Sequence, residues 1–196
     1  MIKKPNNWNE VKDFSDRPKL PLGAYVCRVK KAAVQDNGHG DQLCILFDIA
    51  EGDFRGFYKE EYDDNQQENK KWKGVLRVWL PKDDGSERDE WTKRSLKGFI
   101  TAFEKSNPGF QFNWDESSLV GKYVGILYRN EEWEYNGKTG WSARPNRAIS
   151  VDSARNGDYK LPKDKPLKNK SEDSYSGAYN EPTDYSVVDD DSELPF

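Results

Sequence analysis

Histidine is almost missing from this 196-residue chain: His39 stands alone, inside the turn-forming run Asp36-Asn37-Gly38-His39-Gly40-Asp41. A catalytic triad built on imidazole and a multi-histidine metal centre are therefore excluded, and His39 reads as a solvated loop residue. Cysteine is nearly as scarce. Cys27 and Cys44 lie within apolar, strand-like runs, without the paired spacing of a zinc site or the density of a disulfide scaffold, and are expected to be buried thiols. Long apolar runs are missing too: no stretch approaches the roughly 20 residues needed to cross a bilayer. The opening Met1-Ile2-Lys3-Lys4-Pro5-Asn6-Asn7-Trp8 lacks the apolar centre of a secretory signal. The expectation is a soluble, cytoplasmic protein with no membrane partner. Hydrophobic residues reach 34%, against roughly 45 to 50% in an average domain, so the length fits one modest core and an appendage.

What the chain does have is rings and divided charge. Aromatic residues make up 13% of it, more than a small core needs. The net charge of −4 conceals a partition, because residues 171–196 carry eight acids and no Lys or Arg, which leaves +4 on everything before them. A mildly basic body thus precedes an acidic tail.

Alternation of apolar and polar residues predicts strands. Leu22 to Val34 is the first, with Val26, Arg28 and Lys30 on one side and Tyr25, Cys27 and Val29 on the other. After the glycine-rich turn, Leu43, Ile45, Phe47 and Ile49 share a face and complete a hairpin. Residues 59 to 73 are almost wholly polar and are expected to form a surface helix or loop that buries little. Val75 to Leu80 is a third strand, with Leu76, Val78 and Leu80 facing one way and Val75, Arg77 and Trp79 the other. Ser86 and Asp89 resemble a helix-capping pair, and Trp91, Ser95, Phe99, Ile100 and Phe103 recur at helical spacing until Asn107-Pro108-Gly109. Leu119 to Asn130 is a fourth strand, and 131–142 a hairpin around Asn136-Gly137. A three-residue loop there would put Trp133 and Trp141 on one face, a two-residue loop on opposite faces; the former is expected. Beyond Val151 apolar periodicity stops, so 152–188 is read as a disordered linker, 189–196 as its acidic tip, and 1–19 as an N-terminal extension to a domain spanning 20–151.

Single-stranded nucleic acid offers phosphates and open base faces, so a general binder interleaves Lys and Arg with rings on which bases stack. The candidates are Arg28, Lys30 and Lys31 on the first strand; Lys73, Arg77 and Trp79 on the third; and Tyr128, Arg129, Trp133, Tyr135, Lys138, Trp141, Arg144 and Arg147 around the late hairpin. The tail closes on Asp189, Asp190, Asp191, Ser192, Glu193, Leu194, Pro195 and Phe196. Its acids can approach a basic pocket while the terminal ring and carboxylate are captured together.

That ending resembles the acidic tip of bacterial single-stranded-DNA-binding proteins, in which acids precede an aliphatic residue, Pro and Phe; here Ser192-Glu193 interrupts the acids. The body is similar to phage- and prophage-encoded binders of that kind, through Leu20-Pro21-Leu22-Gly23-Ala24-Tyr25 opening the first strand and a polar insertion and helix between strands. The resemblance implies a mainly β domain, a five-stranded OB-fold barrel with an inserted α-helix and a disordered C-terminal tail. It also implies binding of single-stranded DNA in replication and recombination, with partner proteins of those processes recruited by the tip. No enzymatic activity and no cofactor or metal are expected, homo-oligomerisation is left open, and a phage-encoded chain would act in the bacterial host cell.

Two other functions fit parts of the sequence. Asp41, Asp48, Glu60, Asp63 and Asp64 offer carboxylates for a Mg²⁺-dependent nuclease, but Glu60 to Asp64 falls in the polar excursion rather than at strand ends, where ligands are held rigidly. An adaptor that binds protein alone, its tail mimicking DNA, is the other. Gly137-Lys138-Thr139 imitates the end of a phosphate-binding loop, yet Glu132 stands where the first glycine should be.

Overall fold

A computed structural model describes residues 2–10 and 19–167. Its frame is one antiparallel sheet of five strands: β1 (Ala24–Asp36), β2 (Asp41–Ile49), β3 (Val75–Trp79), β4 (Tyr123–Tyr135) and β5 (Lys138–Ile149), ordered β3-β2-β1-β4-β5. Among the described residues three α-helices accompany it: α1 (Phe57–Asp64), α2 (Glu87–Ser106) and α3 (Val151–Asn156). The terminal strands β3 and β5 come close to one another, but no strand ladder joins them.

The inner side of the sheet carries the alternation seen in the sequence. Cys27 and Val29 of β1, Leu43, Ile45, Phe47 and Ile49 of β2, Leu76 and Val78 of β3, and Val124, Ile126 and Tyr128 of β4 form one cluster. It is closed by Leu96, Phe99 and Phe103, a stripe of α2 at helical spacing. The Ser86 hydroxyl accepts from the Asp89 amide at 3.2 Å and starts α2. The Asp89 carboxylate accepts in turn from the Lys82 and Asp83 amides, which ties the loop after β3 to the helix.

A bulge between Val29 and Lys31 resets β1 so that Ala32, opposite Ile45, again faces the core. This returns Lys31 to the outward side opposite Leu46, while Lys30 occupies the irregularity and is exposed.

Residues 59–73 bury more than their polarity suggests. The Trp72 indole N–H donates to the Phe47 carbonyl at 2.9 Å, and its ring packs against the core. At the head of this segment Tyr58 is buried, its hydroxyl 2.7 Å from that of Tyr128. One phenol donates to the other, which lowers the penalty for burying the pair. Burial pushes the Tyr25 hydroxyl, beside this pair, up to about 12.

The ordered domain also continues past 151. Helix α3, capped by the Ser150 hydroxyl accepting from the Ser153 amide, packs on the outward side of β1 and β4. There Gly125 supplies the space: a Cβ on it would lie 2.8 Å from the Ser150 carbonyl oxygen and 2.9 Å from Ala154 Cβ. The chain then returns along β4, where the Lys165 amide donates to Asn130 and its carbonyl accepts from Glu132, both at 2.9 Å. Residues 152–167, assigned to the linker from composition, thus include a helix and a strip paired to the sheet. A single hydrophobic stripe on so short a helix is below what periodicity reveals.

Candidate nucleic-acid interface

Side-chain direction alternates along a strand, so the register assigns each candidate to a side of the sheet. Gln42 pairs with Trp79, Cys44 with Arg77 and Leu46 with Val75. All six are opposite in phase to the core set, so Arg77 and Trp79 project outward. Arg77 is exposed above Cys44, which is fully buried. Burial raises the thiol, and the Arg77 guanidinium that hydrogen-bonds the sulfur pulls it part of the way back. Lys31 lies outward on the neighbouring strand. Arg28 does too, its Nε donating to the Gly121 carbonyl at 3.2 Å and its guanidinium 5.8 Å from the Tyr123 ring centre. Lys73 precedes β3 and pairs with Glu61 at 2.5 Å, which offsets part of its charge.

The β4–β5 hairpin corrects the sequence reading. Tyr135 pairs with Lys138, leaving a two-residue turn at Asn136-Gly137 with φ of 50° and 72°. Both residues are left-handed, as a type I′ turn requires. Trp133 therefore stands opposite Gly140, and Trp141 opposite Glu132, on the other side of the ribbon. The two indoles do not share a face. Gly140 has no side chain in Trp133's way; a Cβ there would lie 2.6 Å from the indole Cζ2.

The turn sorts charge as well as rings. The outward side of the hairpin carries Trp133, Tyr135, Lys138, Arg144 and Arg147, together with the Arg129–Glu131 pair; the inner side carries Trp141 opposite Glu132, with Glu134 nearer the turn. Trp133 is 40% exposed, Tyr135 72% and Trp141 46%. Rings are thus available on both sides, but cations accompany them on one.

Two further candidates are corrected. Tyr128 is fully buried, in phase with Val124 and Ile126, and its edge-on contact with Tyr25 at 5.3 Å belongs to the core. A ring with no exposed face cannot stack on a base. Arg129 is 7% exposed and committed to Glu131 at 2.6 Å, so it acts inside the fold. In contrast Lys82, unremarked in the sequence, approaches the β1–β2 turn: a Cβ on Gly40 would lie 3.0 Å from Lys82 Cε and 3.7 Å from the Trp79 ring. Trp114 was also not singled out, although a lone Trp in the polar run Asn113-Trp114-Asp115 is a signal for an exposed ring.

The carboxylates of the nuclease reading do not converge. Asp48 is buried and accepts from the Ile49 and Tyr58 amides, which places it at the start of α1, and Asp63 pairs with Lys59 one helical turn away. Among the described residues no three His, Cys, Asp or Glu side chains are grouped so as to hold a metal ion, and no helix is long and apolar enough to cross a membrane. Asp189, Asp190, Asp191, Glu193, Leu194, Pro195 and Phe196 lie outside the described residues. Comparison with known proteins finds no matching family model and no matching curated sequence.

Proposed function

We propose that this chain is a cytoplasmic single-stranded-DNA-binding protein whose sheet is an OB fold. The order β3-β2-β1-β4-β5, with α2 inserted between β3 and β4, is the strand order of that five-stranded barrel opened between its third and fifth strands. OB folds bind oligonucleotides on the face of their second and third strands and on the loops joining strands 1–2 and 4–5. The observation that carries the reading is where rings and cations coincide here. Arg77 and Trp79 occupy the outward side of β2–β3, Lys82 adjoins the β1–β2 turn, and Trp133, Tyr135 and Lys138 flank the β4–β5 turn. Stacking and phosphate neutralisation are then supplied by the same surface, a combination that holds a strand without regard to its sequence. The protein coats rather than cleaves, and it protects DNA during replication or recombination.

Phosphate contacts release counterions, which fixes the test. With about five phosphates neutralised by Lys31, Arg77, Lys138, Arg144 and Arg147, the log–log salt slope for oligothymidylate should be near −3.5, about −0.7 per phosphate. Tryptophan fluorescence should be quenched by single strands and much less by duplex. A slope near zero, or cleavage of the oligonucleotide in Mg²⁺, would overturn the proposal.

Residues 189–196 are proposed to recruit replication and recombination proteins, on the strength of their resemblance to the bacterial tip. Deleting them should abolish capture of such partners while oligonucleotide affinity is kept or tightened, since a polyanion near a cationic groove competes with DNA. Loss of DNA binding on deletion would contradict that division of roles.

A further inference from the structure

Trp114 adopts a φ of 66°, a left-handed conformation that is costly for a bulky residue. Nothing in the interior repays it, because the ring is 76% exposed. The loop that carries it is nonetheless well fixed. The Phe112 amide donates to Glu104 at 3.2 Å, the Asp115 amide donates across Trp114 to the Asn113 side chain at 3.2 Å, and the Ser117 amide to Asp115 at 2.9 Å. Phe112 packs against the core and meets Trp114 at 5.7 Å between ring centres. The indole is thus held away from the body by a rigid support, and strain of this kind concentrates at binding sites.

Beside the ring is an apolar cavity of about 100 Å³, floored by Val34, Leu43, Leu80 and Leu96. Its lining belongs to the inner side of the sheet, one residue out of phase with the outward surface described above, and meets that surface at the rim. Val34 and Leu43 are the pair next to Gln35 and Gln42, Gln42 pairs with Trp79, and Leu80 follows Trp79 in the chain. A strand leaving Trp79 over the rim of the sheet arrives at Trp114. Glu116, the polar residue lining the cavity, repels phosphate, so the occupant that fits is flat and uncharged.

We propose that Trp114 and this cavity form a stacking station for one unpaired nucleobase of single-stranded DNA, at the end of the track that passes Trp79. The inference rests on the nucleic-acid reading above and adds to it a residue, a direction of travel and a ligand part. The phosphates stay with Arg77 and Lys82, and the base turns in beneath the indole. Stacking without hydrogen-bond readout makes the station tolerant of sequence.

The test uses the full chain with Trp114→Ala and Trp114→Phe, against oligothymidylates of increasing length and an all-abasic deoxyribose-phosphate strand. Trp114→Ala should weaken binding of the longer oligothymidylates by about tenfold, the loss of one stacked base. It should leave the shortest binding oligonucleotides, the abasic strand and the salt slope unchanged. Trp114→Phe should fall between. Thermal stability should not move, because the ring contributes little to the core. If Trp114→Ala binds every length as the parent does while Trp79→Ala is weakened, the station is wrong and the wider reading stands. If the parent binds no oligonucleotide at low salt, both fail. If the abasic strand is weakened equally, Trp114 acts on the backbone and the proposal falls.

Discussion

Replacing Trp79 and Trp133 together with Ala is expected to lower affinity for oligothymidylate by about a hundredfold or more. Each ring stacks roughly one base at about 1 to 3 kcal/mol, so removing both multiplies the two losses. Trp141→Ala is the matched control. It removes an indole of similar exposure from the same ribbon, but from the side where Glu132 and Glu134 stand, and it should change affinity by less than about twofold. Titration of the double variant, Trp141→Ala and the parent by fluorescence anisotropy at fixed salt decides the matter. If Trp141→Ala is the damaging change, the strand runs along the acidic side of the hairpin and the assignment of faces is inverted.

The largest expected effect on stability is at Gly74. A Cβ there would sit within contact distance of the Phe47 carbonyl oxygen and 2.6 Å from Tyr58 Cδ2. The obstacle is backbone on one side and a buried ring on the other, so neither can give way cheaply. Tyr58 is fixed by Tyr128 and Phe47 by its place in β2, and relief requires β3 to move off β2. Gly74→Ala should cost about 3 kcal/mol, at the upper end of overpacking changes, measured as a shift in denaturant midpoint at constant slope. Gly98, on the exposed side of α2 with nothing near its Cβ position, provides the contrast. Gly98→Ala should stabilise by about 0.5 to 1 kcal/mol through helix propensity. A tolerated Gly74→Ala would mean that the approach of Tyr58 to β2 is looser than described.

How legible these features were depended on whether a local signal existed. The strands of the core announced themselves by period: Leu43, Ile45, Phe47 and Ile49 alternate because one side of β2 must be apolar. Tyr128 was equally legible, since it continues the phase of Val124 and Ile126; its promise as a stacking ring came from composition alone, and burial overrode it. The hairpin turned on one residue of loop length. Asn136-Gly137 is the pair that accepts two consecutive left-handed conformations, so the dipeptide itself favoured the shorter loop, and with it the separation of Trp133 from Trp141. Trp72 gave no such sign. Its indole reaches Phe47 from a polar segment by a single hydrogen bond, a tertiary contact without periodicity. Trp114 was legible in part: its polar neighbours mark an exposed ring, whereas its strained backbone is a product of the loop around it.

The pairing of Lys165 with Asn130 and Glu132 has a bearing on solubility. Beyond Tyr128, β4 no longer has β1 beside it, and its amides and carbonyls would otherwise line a bare margin onto which another molecule's strand could add. By laying its own backbone there, the chain occupies the place a self-templating neighbour would take, and sticky ribbon becomes a sealed seam. Proteolytic trimming upstream of Lys165 would reopen that margin, and the trimmed protein would tend to grow into sheets with copies of itself.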